Sequence, residues 1–293
     1  MATVNVTSSE KPLIVIVGPT ASGKSSVAIE LAELYNGEII CADSRTIYKN
    51  MDIGTAKPSS ADQSRVPHWG LDIVTPGEPF SAADFKDYTV QKIIEIRARG
   101  HVPFLVGGTG LYVDGVVFDY RFGPVADPTL RAQLEAKKLP ELHNYCIQYN
   151  ITLPKNDRNK RYVIRAIEQK NINSKRLQQP IKNCIIVGIA TENVKLREQI
   201  IKRSEQLFND GAVNEAKILG ELYGWESEAM TGNIYRLAHA YLSGSITQND
   251  FRIKNEIADW RLAKRQLTWL RRNQFIQWMP LDMVKNYIAG RLA

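Results

Sequence analysis

The chain has 293 residues, of which 44% are hydrophobic, so it is long and apolar enough for one sizeable core plus a smaller unit, which excludes an extensively disordered protein. No stretch approaches the roughly 18 apolar residues that a membrane span needs, and we expect a cytoplasmic protein with no membrane partner. The balance of 38 Lys and Arg against 31 Asp and Glu gives a net charge of +7, which is compatible with a polyanionic partner.

The most informative segment is Gly18–Ser25, which follows the apolar run Leu13–Val17 and precedes a helical pattern. Its glycines allow backbone N–H groups to converge on phosphate oxygens at the positive end of the next helix. Lys24 adds charge, and Ser25 offers a hydroxyl to Mg²⁺. We therefore predict a phosphate cradle, whose usual ligand is ATP or GTP, with a plain glycine-rich turn as the alternative. Its residues are Gly18, Pro19, Thr20, Ala21, Ser22, Gly23, Lys24 and Ser25.

A second buried strand, Glu38–Ala42, is predicted to carry Asp43 to the carboxyl edge of the sheet, where open α/β sheets hold their ligands. Asp43 is then either a functional carboxylate, which acts as a base or binds a metal, or the cap of its own turn. Residues 48–58 fit a binding loop because they mix glycine with polar and basic side chains. A short strand is predicted over residues 71–73, followed by a helix over residues 81–99.

A third buried strand, Val102–Val106, runs into Gly107–Tyr112, which begins another helix at the same edge and lets Thr109 face a ligand. Ordinary phosphate-loop ATPases end the comparable strand in an Asp that holds Mg²⁺, whereas a glycine pair stands here. The set of residues that ordinary phosphate-loop hydrolases use is therefore missing. Asp43 is better placed to accept a proton from an incoming acceptor, as in small-molecule kinases and other transferases.

Residues 119–180 have helical patterns, and strand character returns at Cys184–Ile189. The sequence therefore predicts an α/β fold, a P-loop NTPase-like parallel sheet flanked by helices. Its core domain is predicted to comprise residues 11–118 and 181–293, with the helical residues 119–180 as a small inserted domain. Further helices are expected at about 194–209, 212–223, 231–242 and 250–272.

Two of the predicted helices carry basic stripes. One is formed by Arg158, Arg161 and Arg165, and the other by Arg261, Lys264, Arg265 and Arg272. A charged stripe is usually a solvated face; the alternative, contact with phosphates on two separate helices, fits an RNA backbone better than a single nucleotide. On the second helix the residues expected to pack are Ile257, Trp260, Leu267 and Leu270.

Six short motifs occur along the chain in the order in which one known family has them. They are Gly18–Ser25, Asp43–Arg45, Met51–Pro58, Phe80–Phe85, Gly107–Tyr112 and Ala263–Trp269. Together they resemble the tRNA dimethylallyltransferase (tRNA isopentenyltransferase) family of bacterial type. The motifs extend over nearly the whole chain, so the resemblance is far more specific than the cradle alone.

The resemblance implies transfer of a dimethylallyl group from dimethylallyl diphosphate to the N6 amine of the adenosine 3′ of the anticodon in tRNA, with Mg²⁺ as the cofactor. The cradle would then hold the leaving diphosphate, with Ser25 on the metal. Asp43 would accept the proton of the amine, and Thr109 and Arg261 would serve at the reacting centre. The inserted domain would clamp the anticodon stem-loop, and we expect a monomer. The residues implied to contact tRNA are Asp43, Ser44, Arg45, Thr46, Thr109, Arg131, Arg161, Tyr162, Val163, Ile164 and Arg165.

Three positions depart from the family pattern. Trp69 stands where a second histidine is frequent, Tyr162 replaces a frequent basic residue, and Gly232–Tyr235 replaces a Gly-Tyr pair. These departures concern the choice of tRNA more than the chemistry. The alternatives are a P-loop small-molecule kinase, an RNA-binding ATPase without transferase chemistry, and a prenyltransferase that acts on free adenylate.

Overall fold

The computed structural model describes residues 10–123, 127–170 and 176–292. The chain divides into two compact units, one formed by residues up to Val117 and from Gln179 onward, and the other by Phe118–Gln178. The sequence placed the limits of the inserted domain at 119 and 180. None of the described helices is long and apolar enough to cross a membrane.

The larger unit is built on a sheet of six described strands in the order β3-β2-β4-β1-β5-β6, with every neighbouring pair parallel. Strands β1, β2 and β4 are buried at every position, because helices cover both faces of a parallel sheet and select continuous apolar runs. The strands are β1 (Leu13–Val17), β2 (Gly37–Ala42), β3 (His68–Trp69), β4 (Val102–Gly107), β5 (Cys184–Ile189) and β6 (Gln277–Met279).

The four long strands confirm the sequence prediction. The prediction of a short strand at residues 71–73 is wrong. The edge strand is His68–Trp69, which pairs with Ile39 and Ile40 of β2. Gly70 adopts φ +82° and Asp72 φ +52°, so the chain turns away directly after β3 and cannot extend through residues 71–73. Strand β6 was not predicted.

The helices of the larger unit are α1 (Lys24–Leu34), α2 (Ser60–Arg65), α3 (Ala82–Ala98), α4 (Gly110–Val117), α8 (Asn193–Asn209), α9 (Ala212–Tyr223), α10 (Asn233–Leu242), α11 (Gln248–Leu270) and α12 (Leu281–Leu292). A short 3₁₀ turn, Glu228–Thr231, precedes α10. Ser81 and Asp84 form a capping box that fixes the start of α3. Helix α12, which the sequence did not predict, adds Val284 and Ile288 to the core around the sheet.

The smaller unit contains helices α5 (Pro128–Ala136), α6 (Leu139–Gln148) and α7 (Lys160–Gln169). Asp127 caps α5 by accepting N–H groups of its first turn, directly before the proline at its first position. The unit has its own hydrophobic core, formed by Leu134, Leu142, Cys146, Val163, Ile164 and Ile167.

Gly107 ends β4 directly opposite Ala42, the last residue of β2. A methyl group at Gly107 would stand 2.1 Å from the carbonyl oxygen of Ala42 and 2.8 Å from its Cα. We therefore expect Gly107→Ala to lower the free energy of unfolding by about 1–3 kcal/mol, because the two strands must move apart. Urea denaturation measures this change. The matched control is Gly290→Ala in α12, where a methyl group meets nothing within 4 Å; equal stability of the two variants would contradict the prediction.

Candidate functional site

The segment Gly18–Ser25 connects β1 to α1 as a tight loop. Gly23 lies directly before the helix with φ +83°, a conformation that glycine adopts without strain. A Cβ at Gly18 would lie 2.8 Å from Ser22 Oγ, so the loop closes on itself there. Lys24 Nζ donates to the carbonyl oxygen of Pro19 at 3.2 Å. The loop therefore places its backbone at the start of α1, which is the geometry that a phosphate cradle requires.

The electrostatics of the cradle are governed by Lys24. Burial lowers the pKa of this ammonium to about 8, with Asp43 acting in the opposite direction and Arg203 adding to the decrease. The hydroxyl of Ser22 is also buried and has no hydrogen-bond partner among the described residues. A buried cation that lines the cavity favours an anionic ligand, because an anion would offset the desolvation of Lys24.

Asp43 and Thr109 lie together at the ends of β2 and β4. Thr109 donates its N–H to the carbonyl oxygen of Ala42 at 3.2 Å, and its Oγ1 accepts the N–H of Ser44 at 3.2 Å. Asp43 Oδ1 accepts the N–H of Arg45 at 2.8 Å. Asp43 therefore does cap its own turn, and it also lines the cavity in front of the cradle. The two interpretations of Asp43 are compatible with each other.

A cavity of about 310 Å³ opens at this edge of the sheet. It brings together the cradle, the ends of β2 and β4, the loop after β2 and the helices α8, α10 and α11. The predicted site residues that line it are Thr20, Lys24, Ser25, Asp43, Ser44, Arg45, Thr46 and Thr109. All of these residues belong to the larger unit.

Arg45 is held at the cavity by the 3₁₀ turn before α10. Its guanidinium donates to the carbonyl oxygen of Glu228 at 3.0 Å and to Thr231 Oγ1 at 3.1 Å. Thr46 is buried. An RNA contact by either side chain stays a prediction.

The arginine implied to serve at the reacting centre, Arg261, lies away from the cavity, and its role stays a prediction. Arg261 is exposed on α11 and does not line the cavity, whereas Arg203 of α8 and Arg265 of α11 do. Arg203 Nη1 donates to Thr20 Oγ1 in the cradle. The residues of α11 that face the cavity recur at helical spacing, and Arg261 falls outside that stripe. The residues of α11 that line the cavity are Asn255, Asp259, Leu262, Arg265 and Gln266.

The buried face of α11 is more polar than predicted. Ile257 was expected to pack, but it is 45% exposed, while Asn255 is fully buried and Asp259 nearly so. Burial raises the pKa of Asp259, although Arg203 and a hydrogen bond with Asn233 oppose this. Gln266 fixes the cradle by accepting the N–H of Thr20 at 2.8 Å. Hydrophobic periodicity could not find these residues, because it treats polar positions as solvent-facing.

The smaller unit holds the remaining residues predicted to contact tRNA. Arg131 donates two hydrogen bonds of 2.7 Å to the buried carboxylate of Glu168, and Arg165 donates a third at 3.1 Å. Although burial alone would raise the pKa of Glu168, these hydrogen bonds lower it. Arg131 and Arg165 therefore stabilise the unit itself.

Two other predicted contacts in the smaller unit require correction. Val163 and Ile164 lie in its core, at 0% and 4% exposure, so their side chains are not available to RNA. Arg161 and Tyr162 are exposed on the same helix, α7. These two side chains remain free to contact a partner.

The departures from the family pattern fall in different places. Trp69 lies on the edge strand, away from the cavity lining, and its Nε1 donates to the buried Glu38 at 2.6 Å. Lys92 sits over its ring at 4.3 Å from the centroid. By contrast, all four residues of Gly232–Tyr235 line the cavity. The departure at Gly232–Tyr235 therefore concerns the site directly.

Fold and cavity define a parallel α/β protein of the P-loop NTPase-like class, with a phosphate cradle and a polar cavity at the carboxyl edge of its sheet. The predicted fold class is confirmed. The family model described as IPP transferase matches residues 46–273, and this chain belongs to that family. It is accordingly a transferase, and the resemblance stated from the motifs is confirmed.

Relatives agree with this assignment over nearly the full length. A tRNA dimethylallyltransferase of Halalkalibacterium halodurans is 35% identical over 97% of this chain and 98% of its own. The crystal structure of a tRNA isopentenylpyrophosphate transferase from Bacillus halodurans covers 97% of both chains with a TM-score of 0.74 and 35% identity. A eukaryotic dimethylallyltransferase, crystallised while acting on tRNA, shares the fold with a TM-score of 0.75 at 20% identity.

Proposed function

We propose that the protein transfers the dimethylallyl group of dimethylallyl diphosphate to the exocyclic N6 amine of the adenosine 3′ of the anticodon in tRNA. The observation that carries this proposal is the shared cavity, in which the cradle faces Asp43 and Thr109 while β4 ends in glycine rather than in an Asp. Such a site has a carboxylate that can take a proton from an acceptor. It lacks the strand-end Asp with which ordinary phosphate-loop ATPases hold Mg²⁺. The names of the relatives support the same activity.

In this reaction the bond between the allylic carbon and the diphosphate oxygen breaks, and a bond from that carbon to the adenine nitrogen forms. Lys24 and the amides of the cradle would stabilise the charge that develops on the departing diphosphate. Asp43 would accept a hydrogen bond from the amine and then its proton. Thr109 would orient the segment that follows β2, because its Oγ1 accepts the N–H of Ser44. Arg203, hydrogen-bonded to the cradle through Thr20, would add positive charge on the diphosphate side.

The residues present also fit the predicted Mg²⁺. Ser25 and Asp43 both line the cavity, and a hydroxyl, one carboxylate and substrate phosphate oxygens are the ligands that this ion favours. Ser25 would hold the ion through its hydroxyl. When bound, Mg²⁺ would supply further charge stabilisation to the diphosphate.

The tRNA contacts of the proposal rest on exposed groups. Arg161 and Tyr162 are exposed on α7 of the smaller unit, and Lys264 and Arg265 are exposed on α11 of the larger one. Lysine and arginine neutralise phosphates, and an exposed tyrosine can stack on an unpaired base. Clamping of the anticodon stem-loop by the smaller unit and a monomeric state belong to this proposal.

The different positions of Arg203 and Arg261 give a paired prediction. We expect Arg203→Ala to lower the kcat/KM of prenyl transfer by at least tenfold, because it removes a charge that contacts the cradle, a loss of about 1.5–3 kcal/mol. Arg261→Ala should change this ratio far less, since Arg261 lies outside the cavity. Steady-state kinetics with dimethylallyl diphosphate and tRNA check both. The reverse ranking would restore Arg261 to the reacting centre.

The proposed function is tested with purified protein, Mg²⁺, dimethylallyl diphosphate and bulk tRNA, followed by mass analysis of the nucleosides. We expect prenylated adenosine, and its absence with folded protein would overturn the proposal. Phosphoryl transfer from ATP to a metabolite would identify a kinase, and RNA-stimulated ATP hydrolysis an ATPase. Prenylation of free adenylate, together with RNA binding that ignores salt, would identify the mononucleotide enzyme.

A further inference from the structure

Glu215 of α9 is a carboxylate outside the cavity lining that collects four hydrogen bonds. Its Oε2 accepts the backbone N–H groups of Asp52 at 2.8 Å and Ile53 at 2.7 Å. Its Oε1 accepts the N–H of Gly54 and the hydroxyl of Tyr235, both at 2.8 Å. Successive backbone N–H groups that converge in this way form an anion site. Here the anion is supplied by the protein itself.

The segment that Glu215 holds is a wall of the cavity. Gly54, Thr55 and Ala56 line the cavity, and so does Tyr235. Gly54 packs so closely on Tyr235 that a Cβ would lie 2.7 Å from its ring carbon Cζ. Tyr235 is itself 1% exposed. One carboxylate therefore fixes both the loop and the aromatic side chain against which it rests.

A buried lysine fixes the other end of this loop. The Lys57 side chain is 3% exposed, and its ammonium donates to the carbonyl oxygen of Tyr48 at 3.0 Å and to Asp72 at 2.7 Å. It also contacts the carboxylate of Asp52 at 2.5 Å. Because the loop is held at both ends, the residues between them present a defined surface to the cavity.

The wall is the apolar side of the site. Leu207 and Ile234 line the cavity and belong to the same hydrophobic cluster as Tyr235. The cradle, with Lys24, forms the charged side. A donor that joins a diphosphate to a short hydrocarbon would place its charge at the cradle and its hydrocarbon against this wall.

We propose that Glu215 is a positioning residue for prenyl transfer. It fixes the loop of Asp52–Lys57 together with Tyr235, and this wall holds the prenyl group so that the allylic carbon meets the acceptor amine. The inference rests on the proposed function. Glu215 acts through the wall and does not touch the reacting atoms.

The variant Glu215→Gln tests this role. An amide has one acceptor oxygen, and its NH₂ group would face N–H donors, so the wall loosens while the side-chain volume is kept. We expect kcat to fall about 100-fold, because the allylic carbon is no longer held in line with the acceptor amine. The KM for dimethylallyl diphosphate should change far less than kcat, because the cradle that binds the diphosphate is intact. Hydrogen exchange of residues 52–54 should accelerate, and that of residues 18–25 should not. The matched control is Glu221→Gln, which removes an exposed carboxylate from the same helix.

Two readouts separate this inference from the proposed function. If the wild-type protein transfers no prenyl group, the proposed function fails, and hydrogen exchange then decides the role of Glu215 in fixing the wall. Unchanged exchange of residues 52–54 in Glu215→Gln, or a wild-type kcat with only a lower melting temperature, overturns the inference. If Glu215→Gln does not fold, Tyr235→Phe removes a single donor, and an unchanged kcat in that variant also overturns it.

Discussion

Asp43→Asn should lower the turnover of prenyl transfer by about 10²–10⁴-fold while leaving the affinity for diphosphate unchanged at pH 7. The amide keeps an oxygen that can accept the N–H of Arg45, so the turn after β2 is preserved. It cannot accept a proton from the adenine amine. Single-turnover kinetics measure the chemical step, and competition with inorganic diphosphate measures the affinity.

The pH of that experiment matters because Asp43 raises the pKa of Lys24. Without the carboxylate more of the lysine is neutral near pH 8, which would weaken diphosphate binding for a reason unrelated to proton transfer. The matched control is Asp87→Asn, an exposed carboxylate on α3. Normal turnover in Asp43→Asn would remove the base assignment.

Lys24→Met should make the ligand-free protein more stable and the cradle inactive. The folded chain holds Lys24 at a pKa of about 8, below its ordinary value of 10.5, so its charge opposes folding at neutral pH. Methionine removes this charge, and we expect a gain in the free energy of unfolding on the order of 1–3 kcal/mol at pH 7. Diphosphate affinity should fall at least tenfold, because a charged hydrogen-bond donor is lost.

The pH dependence follows from the same shift. Between about pH 8 and 10.5 the unfolded chain binds more protons at Lys24 than the folded chain, so wild-type stability from this group rises with pH and the advantage of Lys24→Met shrinks. Diphosphate binding by the wild type should weaken above about pH 8, whereas binding by Lys24→Met should not change there. Urea denaturation and calorimetry across this range measure both. A less stable Lys24→Met protein at pH 7 would contradict the electrostatic account.

The cradle, Asp43 and Thr109 could be predicted because each is encoded locally. Each follows a continuous apolar strand, and parallel strands bring their carboxyl ends to one edge. The same reasoning predicted the four long strands of the sheet. Edge strand β3 and strand β6 have two and three residues, too few for a pattern to identify.

The site residues that the sequence analysis did not predict belong to helices that are far from the cradle along the sequence. Arg203 precedes the cavity stripe of α11 by about fifty positions, and only tertiary packing shows that it reaches Thr20. Asn255 and Asp259 are buried because the face of α11 that packs inward also lines a polar cavity. A pattern based on hydrophobicity assigns such residues to solvent.

The inserted unit shows the same limit for predicted partners. Val163 and Ile164 lie among residues implied to contact tRNA, yet the core of the smaller unit takes their side chains. Arg165 was predicted to lie on an exposed stripe and Arg131 was implied to contact tRNA, but both side chains donate hydrogen bonds to Glu168. Helical spacing placed Arg158 on the same helix as Arg165, whereas α7 begins at Lys160, and it could not show which basic residues the fold itself uses.

The central claim is that the cradle withdraws diphosphate from carbon rather than passing on a phosphoryl group. Dimethylallyl diphosphate carrying heavy oxygen at its bridging position, between carbon and phosphorus, tests this most directly. We predict that the protein, with Mg²⁺ and tRNA, releases diphosphate that retains all of the label while the RNA gains the prenyl group. Label recovered in dimethylallyl alcohol, or phosphate attached to the RNA, would show that the phosphorus–oxygen bond breaks and would contradict the account.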